Sequence, residues 1–271
     1  MIYQFGLNNM DLSFLILNYK TKGLTRNVVK NIFDLKLPYQ YEIIVGDNSN
    51  DGTGEMLLEL YGDLPSLKFF SFPNRGYGAG NNELAKYATG KYLVILNPDV
   101  HILPGTIEKL YQYLEIHPDV ALISPQLIYG NGNIQQSCFR YYKIMTPVYR
   151  RTFLGKTSAG QKDLDRFLMK DVDLTQPQNV DWLMGSFWML RRTVFEELNG
   201  FDEKYFMYFE DTDFCHRLHD KNYQVIYYPL ARAVHFHAKE SDRGKLWKNL
   251  FNNFTWIHIK SALRFFKKFK D

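Results

Sequence analysis

The sequence predicts an α/β fold built on a mostly parallel sheet with helices on both faces. Two observations carry this. Short apolar runs of strand length alternate with helix-compatible stretches, and polar residues gather at the carboxyl ends of three of those runs. Parallel strands need crossover connections, and helices between consecutive runs supply them.

The runs at 12–17, 42–45, 68–72, 92–96 and 121–124 are rich in β-branched, aromatic and leucine residues. Helix-compatible stretches at 25–35, 53–61, 80–88 and 106–116 lie between them, each opened by Gly, Asn, Asp or Pro turns. The segment 130–180, with mixed charge and scattered aromatics, reads as an excursion. Order returns with a strand at 182–190, a helix near 193–198, a helix opening at Glu210 and a strand at 224–228.

Composition narrows the function. A chain of 271 residues, 45% hydrophobic and 23% charged, has enough apolar material for one large core or two smaller ones. Cys138 and Cys215 lack any partner spacing, which argues against a disulfide framework or thiolate zinc site and favours a reducing cytoplasm. The amino-terminal stretch has the flanks of neither a signal peptide nor a membrane span. From Asp242 onward eight Lys or Arg face two Asp, so the basic excess sits in a tail and not over a nucleic-acid-binding surface.

Each polar motif allows a bland and a chemical reading. "DNSNDGT" (47–53) is a strong turn signal, and its first acid also sits where an open sheet holds ribose or base. "NRGYGAGNN" (74–82) opens a helix, and its glycines would let backbone N–H groups approach an anion, with Arg75 adding charge. It matches neither the dinucleotide fingerprint nor a P-loop. "LNPDV" (96–100) sets Asp99 where a hard cation can bridge protein and diphosphate. "ARAVHFHAKES" (231–241) puts His235 and His237 on one side of an extended segment. "FMYFEDTDFCHRL" (206–218) crowds Glu210, Asp211 and Asp213 at a helix start, where acids also serve as caps; Asp213 stands four before Arg217.

Taken in order with "ILNYKTKGLTRNVVKNI" and "WLMGSFWMLRR", these motifs resemble the family 2 glycosyltransferases, in the bacterial rhamnosyltransferase-like branch, from about Leu12 to Ser241. The resemblance implies a GT-A fold: a Rossmann-like nucleotide-sugar-binding half over about 1–125 and an acceptor-binding half over about 126–241. Residues 242–271 remain as a tail. It implies an inverting transfer from a nucleoside-diphosphate sugar of the dTDP or UDP type to a glycan or lipid-linked acceptor, in cell-surface polysaccharide synthesis. Asn18, Tyr19, Asp47 and Asn48 would then hold base and ribose; Arg75, Gly76, Asn82 and Asn97 would line the donor pocket. Asp99, with His235 and His237, would bind Mn2+ or Mg2+. Trp182, Gly185, Ser186 and Glu210 would border the acceptor, and Asp211 would be the general base. The family pattern has Asp-x-Asp where this chain has Asn97-Pro98-Asp99, which puts strict metal dependence in doubt.

Beyond Asp242, Leu246, Trp247, Leu250, Phe251, Phe254 and Ile257 recur at helical spacing before "LRFFKKFK". This basic amphipathic tail suits packing on the domain, a homodimer contact or an anionic membrane; the expectation is that its first part packs and its last ten residues face lipid. The enzyme is thus expected to be cytoplasmic and peripheral on the inner face of the membrane. Two competing classes remain. A sugar-nucleotide pyrophosphorylase should show a glycine-rich basic loop near the amino terminus, which Tyr19-Lys20-Thr21-Lys22-Gly23 is not. A non-catalytic glycan- or membrane-binding module would need Asp211 only as a cap.

Overall fold

The computed structural model describes residues 10–62, 64–236 and 253–269. Its first half runs β1 (Leu12–Asn18), α1 (Lys22–Asp34), β2 (Tyr41–Asp47), α2 (Thr53–Tyr61), β3 (Leu67–Ser71), α3 (Tyr77–Ala85), β4 (Tyr92–Leu96), β5 (Val100–Ile102), α4 (Thr106–Ile116) and β6 (Val120–Ile128). The central strands are mostly apolar because both sheet faces are covered, and buried Ser13 donates its hydroxyl to buried Glu42. Phe14 and Ile16 join one core cluster and Leu15 the other; Val94 and Leu96 part from Leu93 and Ile95 in the same way. Val28, Leu57 and Leu110 bring α1, α2 and α4 onto the first face, and Leu84 brings α3 onto the second. Each fully buried side chain of this size contributes roughly 1.5–3 kcal/mol.

The second half holds more regular structure than the sequence pattern suggests. It contains β7 (Cys138–Phe139), α5 (Thr146–Arg151), a 3-10 turn (Phe153–Lys156), α6 (Ser158–Phe167) and β8 (Gln178–Asn179). The strand expected over 182–190 is two strands. β9 (Trp182–Leu183) pairs with β7 in a separate small sheet, and β10 (Phe187–Arg191) enters the main sheet after a turn. Then follow α7 (Arg192–Glu197), α8 (Glu210–Asp220), β11 (Gln224–His235) and α9 (Asn253–Lys268).

The main sheet has the order β3-β2-β1-β4-β10-β6-β11-β5, with β8 paired to β11. Strand β10 lies antiparallel between β4 and β6, because the chain reaches it at the rim where β4 ends: Phe187 stands opposite Leu96. Strand β11 continues to His235, well past the expected end at residue 228, and pairs parallel with β6 and antiparallel with β5.

Helix α9 packs on the segment that opens α8, where Ala262 and Phe265 share a cluster with Tyr205 and Phe209. Ser261 Oγ donates to the Met207 carbonyl at 2.9 Å, and Lys268 Nζ lies 2.6 Å from Asp213 and 2.8 Å from Asp202. The expectation that the last ten residues all face lipid is therefore corrected: helical periodicity turns one side of this stretch onto the domain. Its other side exposes Trp256, Ile259 and Leu263. Among the described residues no helix is long and apolar enough to cross a membrane.

Candidate active site

Four turns meet along one rim of the sheet. At the first, Asn18 is fully buried at the end of β1. Its Nδ2 donates to Asp47 Oδ1 at 2.9 Å and to Asp51 Oδ1 and Thr53 Oγ1 at 3.1 Å. Its Oδ1 accepts from the Thr21 backbone N–H at 3.0 Å, the Thr21 hydroxyl at 2.7 Å and the Thr25 hydroxyl at 3.1 Å. Asn18, expected with Tyr19, Asp47 and Asn48 to hold base and ribose, lies beneath the rim and fixes the two acids. Burial opposes the charge on Asp51, yet hydrogen bonds led by Thr53 and Asn18 carry its carboxyl below the usual range. Asp51, Thr21 and Thr25 escaped the sequence reading, although Asp51 and Thr53 stand inside the quoted turn motif. Tyr19 is half exposed, and Asn48 Oδ1 is buried with no partner among the described residues.

The second turn carries Asp99. Because β5 pairs with β11, His235 lies beside it, with Nε2 3.3 Å from Asp99 Oδ1. On its other side His235 Nδ1 is 2.9 Å from Gln135 Oε1, a hydrogen bond that orients the ring. A carboxylate oxygen and an imidazole nitrogen at this spacing suit Mn2+ or Mg2+. Gln135 had no signature in the sequence. His237 lies outside the described residues; among them, no group of three or more metal-ligating side chains occurs.

The third turn corrects a reading. The glycines of 74–82 serve close packing, not an anion cradle. Gly76 has φ +103°, and a Cβ there would meet the Phe206 carbonyl oxygen at 2.2 Å. Tyr77 N–H already donates to that same carbonyl at 3.0 Å. Asn82 is also absorbed: its Oδ1 accepts from Phe201 N–H at 2.8 Å, and its Nδ2 donates to Phe201 O at 2.9 Å and Glu203 Oε1 at 3.2 Å. Gly76 and Asn82 thus bind α3 to the segment leading into α8. Arg75 stays exposed, 3.5 Å from Glu83 and 3.6 Å from Glu203.

The fourth turn joins β9–β10 to the start of α8. Tyr208 and Phe209 both hold φ +68°, an uncommon pair of left-handed residues immediately before the acids. Asp211 is partly open to solvent; its Oδ1 accepts from Thr212 N–H at 2.7 Å and its Oδ2 from Gly185 N–H at 3.3 Å. Burial outweighs these bonds and pushes the Asp211 carboxyl up to about 6. Burial, then the charge of Asp211, raises Glu210 well above the ordinary carboxyl range, which favours its neutral form. Tyr77 donates its hydroxyl to the Gly185 carbonyl at 2.5 Å; burial, then Glu210 and Asp211, keeps that hydroxyl protonated. Asp213 has another fate: fully buried, it pairs with Arg217 at 2.7 Å and with Lys268.

Gly185, expected with Ser186 to border the acceptor, lies against Asp211, and Asn97 N–H donates to the Ser186 carbonyl at 2.9 Å, which joins this turn to the Asp99 turn. Ser186 Oγ and Glu210 Oε2 are buried with no partner among the described residues. Trp182 is corrected from acceptor contact to core: it is 5% exposed, stacks 4.4 Å from Phe139 and donates its indole N–H to the Arg140 carbonyl.

Residues 13–199 match the family model described as glycosyl transferase family 2. The chain belongs to that family. A second model, described as the N-terminal domain of galactosyltransferase, matches residues 172–239. This family 2 glycosyltransferase is 27% identical to the N-acetylglucosaminyl-diphospho-decaprenol L-rhamnosyltransferase of Mycobacterium tuberculosis over 221 residues, covering 74% of this chain and 68% of the relative. It is likewise 27% identical to rhamnosyltransferase WbbL of Escherichia coli, over 83% of this chain and 81% of that protein. The fold is that of GalNAc-T7, solved with UDP, GalNAc and Mn2+, at TM-score 0.67 and 15% identity; 97% of this chain aligns, spanning 48% of the other. Staphylococcus aureus TarS with UDP-GlcNAc aligns at TM-score 0.57 and 15% identity, over 87% of this chain and 62% of that one. The protein is accordingly a glycosyltransferase, similar in sequence to these rhamnosyltransferases.

Proposed function

We propose that this enzyme transfers a sugar, with rhamnose favoured, from a dTDP- or UDP-linked donor to a hydroxyl of a glycan or lipid-linked acceptor in bacterial cell-surface polysaccharide synthesis. One observation carries the reading: a partly open carboxylate with a raised pKa, Asp211, stands at a rim that also holds the Asp99–His235 pair. Resemblance to two rhamnosyltransferases supports the choice of sugar.

The chemistry needs opposite charges on opposite sides of the anomeric carbon. Asp211 takes the proton from the acceptor hydroxyl as its oxygen bonds to that carbon, an assistance worth about 10²–10⁴-fold. The bond to the diphosphate breaks with inversion, and the nucleoside diphosphate leaves with the electron pair. Asp99 and His235 would hold a divalent cation, whose charge would stabilise the leaving oxygens. Asp47, positioned by Asn18, and the exposed Tyr19 ring receive ribose and base. Neutral Glu210 and Ser186 offer hydrogen bonds to acceptor hydroxyls.

A panel of dTDP- and UDP-sugars, with and without Mn2+, tests this through nucleoside diphosphate release and thermal shift. A dTDP-rhamnose signal that Asp211→Asn abolishes without losing donor binding is expected. Near-normal turnover in that variant, or no stabilisation by any donor, would overturn the reading.

A further inference from the structure

Two surface segments outside the site share an unusual makeup. Residues 143–157, comprising α5 and the 3-10 turn, contain Lys143, Arg150, Arg151 and Lys156 and no acid; residues 253–269 contain no acid and, besides Lys268, which turns inward to Asp202 and Asp213, Lys260, Arg264 and Lys267. Each also leaves large apolar side chains in water. Ile144 and Phe153 are 75% and 79% exposed and Met145 is exposed beside them; Trp256 and Leu263 are 56% and 66% exposed with Ile259 one turn from each. Single exposed apolar residues are ordinary, but seven in two cationic segments, Val148 included, form a pattern.

The two segments adjoin. Arg151 Nη1 lies 3.5 Å from His258 Nδ1, joining α5 to α9, and the His258 ring lies 5.0 Å from Tyr208 and 5.2 Å from Phe209, which directly precede Glu210 and Asp211. Tyr142, just before the first segment, packs on Phe209 at 4.9 Å. Both basic segments therefore border the mouth of the acid helix.

We propose that α5 with its 3-10 turn and α9 together form one docking surface for an anionic lipid bilayer, placing the start of α8 at the membrane. Charge complementarity argues for this occupant: cations without acids suit a sheet of negative headgroups, and exposed Trp, Phe, Ile and Leu suit the boundary with acyl chains. A second copy of the chain fits less well, since the like charges of two such faces would oppose each other. The inference deepens the proposed function, on which its consequence rests: an acceptor carried on a lipid would meet Asp211 without leaving the bilayer.

The test is sedimentation of the full chain with vesicles of phosphatidylcholine alone or mixed with phosphatidylglycerol. Native protein should partition to the anionic vesicles, bind neutral ones poorly and release with salt. Ile144→Ser with Phe153→Ser, and separately Trp256→Ser with Leu263→Ser, should each lower partitioning roughly tenfold while leaving the urea midpoint and donor-only nucleotide release unchanged. Should either pair unfold, Lys143→Glu with Lys260→Glu gives the same readout by charge alone. Equal binding to neutral vesicles, no binding by the native chain, or normal binding by the Ile144/Phe153 pair would overturn the proposal. So would a concentration-dependent dimer that the same variants abolish. Vesicle binding reads no turnover, so a chain that docks yet uses neither dTDP- nor UDP-sugars would sink the proposed donor reading alone.

Discussion

Asp211→Asn should separate activity from stability, and in opposite directions. Burial raises this carboxyl from the ordinary 3.8 to about 6. The folded state therefore binds its proton more tightly than the unfolded chain does. Stability from this group is fully present below pH 3.8 and is lost as pH rises through 6, so at pH 8 the ionised side chain costs up to about 3 kcal/mol. Asparagine removes that cost but turns an amide toward the Gly185 N–H, forfeiting a hydrogen bond worth about 1 kcal/mol. A net gain of roughly 2 kcal/mol at pH 8, shrinking toward pH 5, is expected in urea denaturation, together with a turnover loss of at least about 10²-fold. For the native enzyme, kcat/KM should rise with pH through about 6 as the base loses its proton. A variant equally destabilised at pH 5 and pH 8, or a native acid limb near pH 4, would refute the assignment of burial as the cause.

Other substitutions test the supports. Gly76→Ala combines a strained backbone with a clash against the Phe206 carbonyl; a loss above about 2 kcal/mol in urea midpoint and a lower kcat/KM are expected, since α3 would be pushed off the acid helix. Arg217→Met leaves buried Asp213 with Lys268 as its remaining cation and should cost about 3–5 kcal/mol by chemical denaturation. Asp99→Asn should weaken nucleotide release and flatten its response to added Mn2+; an unchanged metal titration would remove Asp99 from the ligand set.

The strand–helix alternation was readable because the central strands are buried on both faces and so are mostly apolar. Strand direction was not: nothing within Phe187–Arg191 distinguishes a parallel from an antiparallel partner, and the turn that feeds β10 is set by contacts to β4. The glycine loop misled for a related reason. Its spacing reports that backbone must come close to something, and only the fold shows that the something is Phe206 and not a phosphate. Trp182 could not be placed because its partners, Phe139 and Tyr142, come from a segment with no clear period.

The three acids of 210–213 show how much distant residues decide. As charges at a helix start they are equivalent in sequence, and the helix terminus favours all of them. Asp213 lies fully buried, where a carboxylate without partners would be costly, and two cations meet it: Arg217 one turn along and Lys268 from a helix some fifty residues away. Those cations fix Asp213 in place. Among the described residues Asp211 accepts only from N–H groups and one hydroxyl, of Thr212 and Gly185, and burial outweighs these bonds and raises its carboxyl to about 6. The tail helix thus supplies a cation to one acid of the three, Asp213, and leaves Asp211 to its amide and hydroxyl partners.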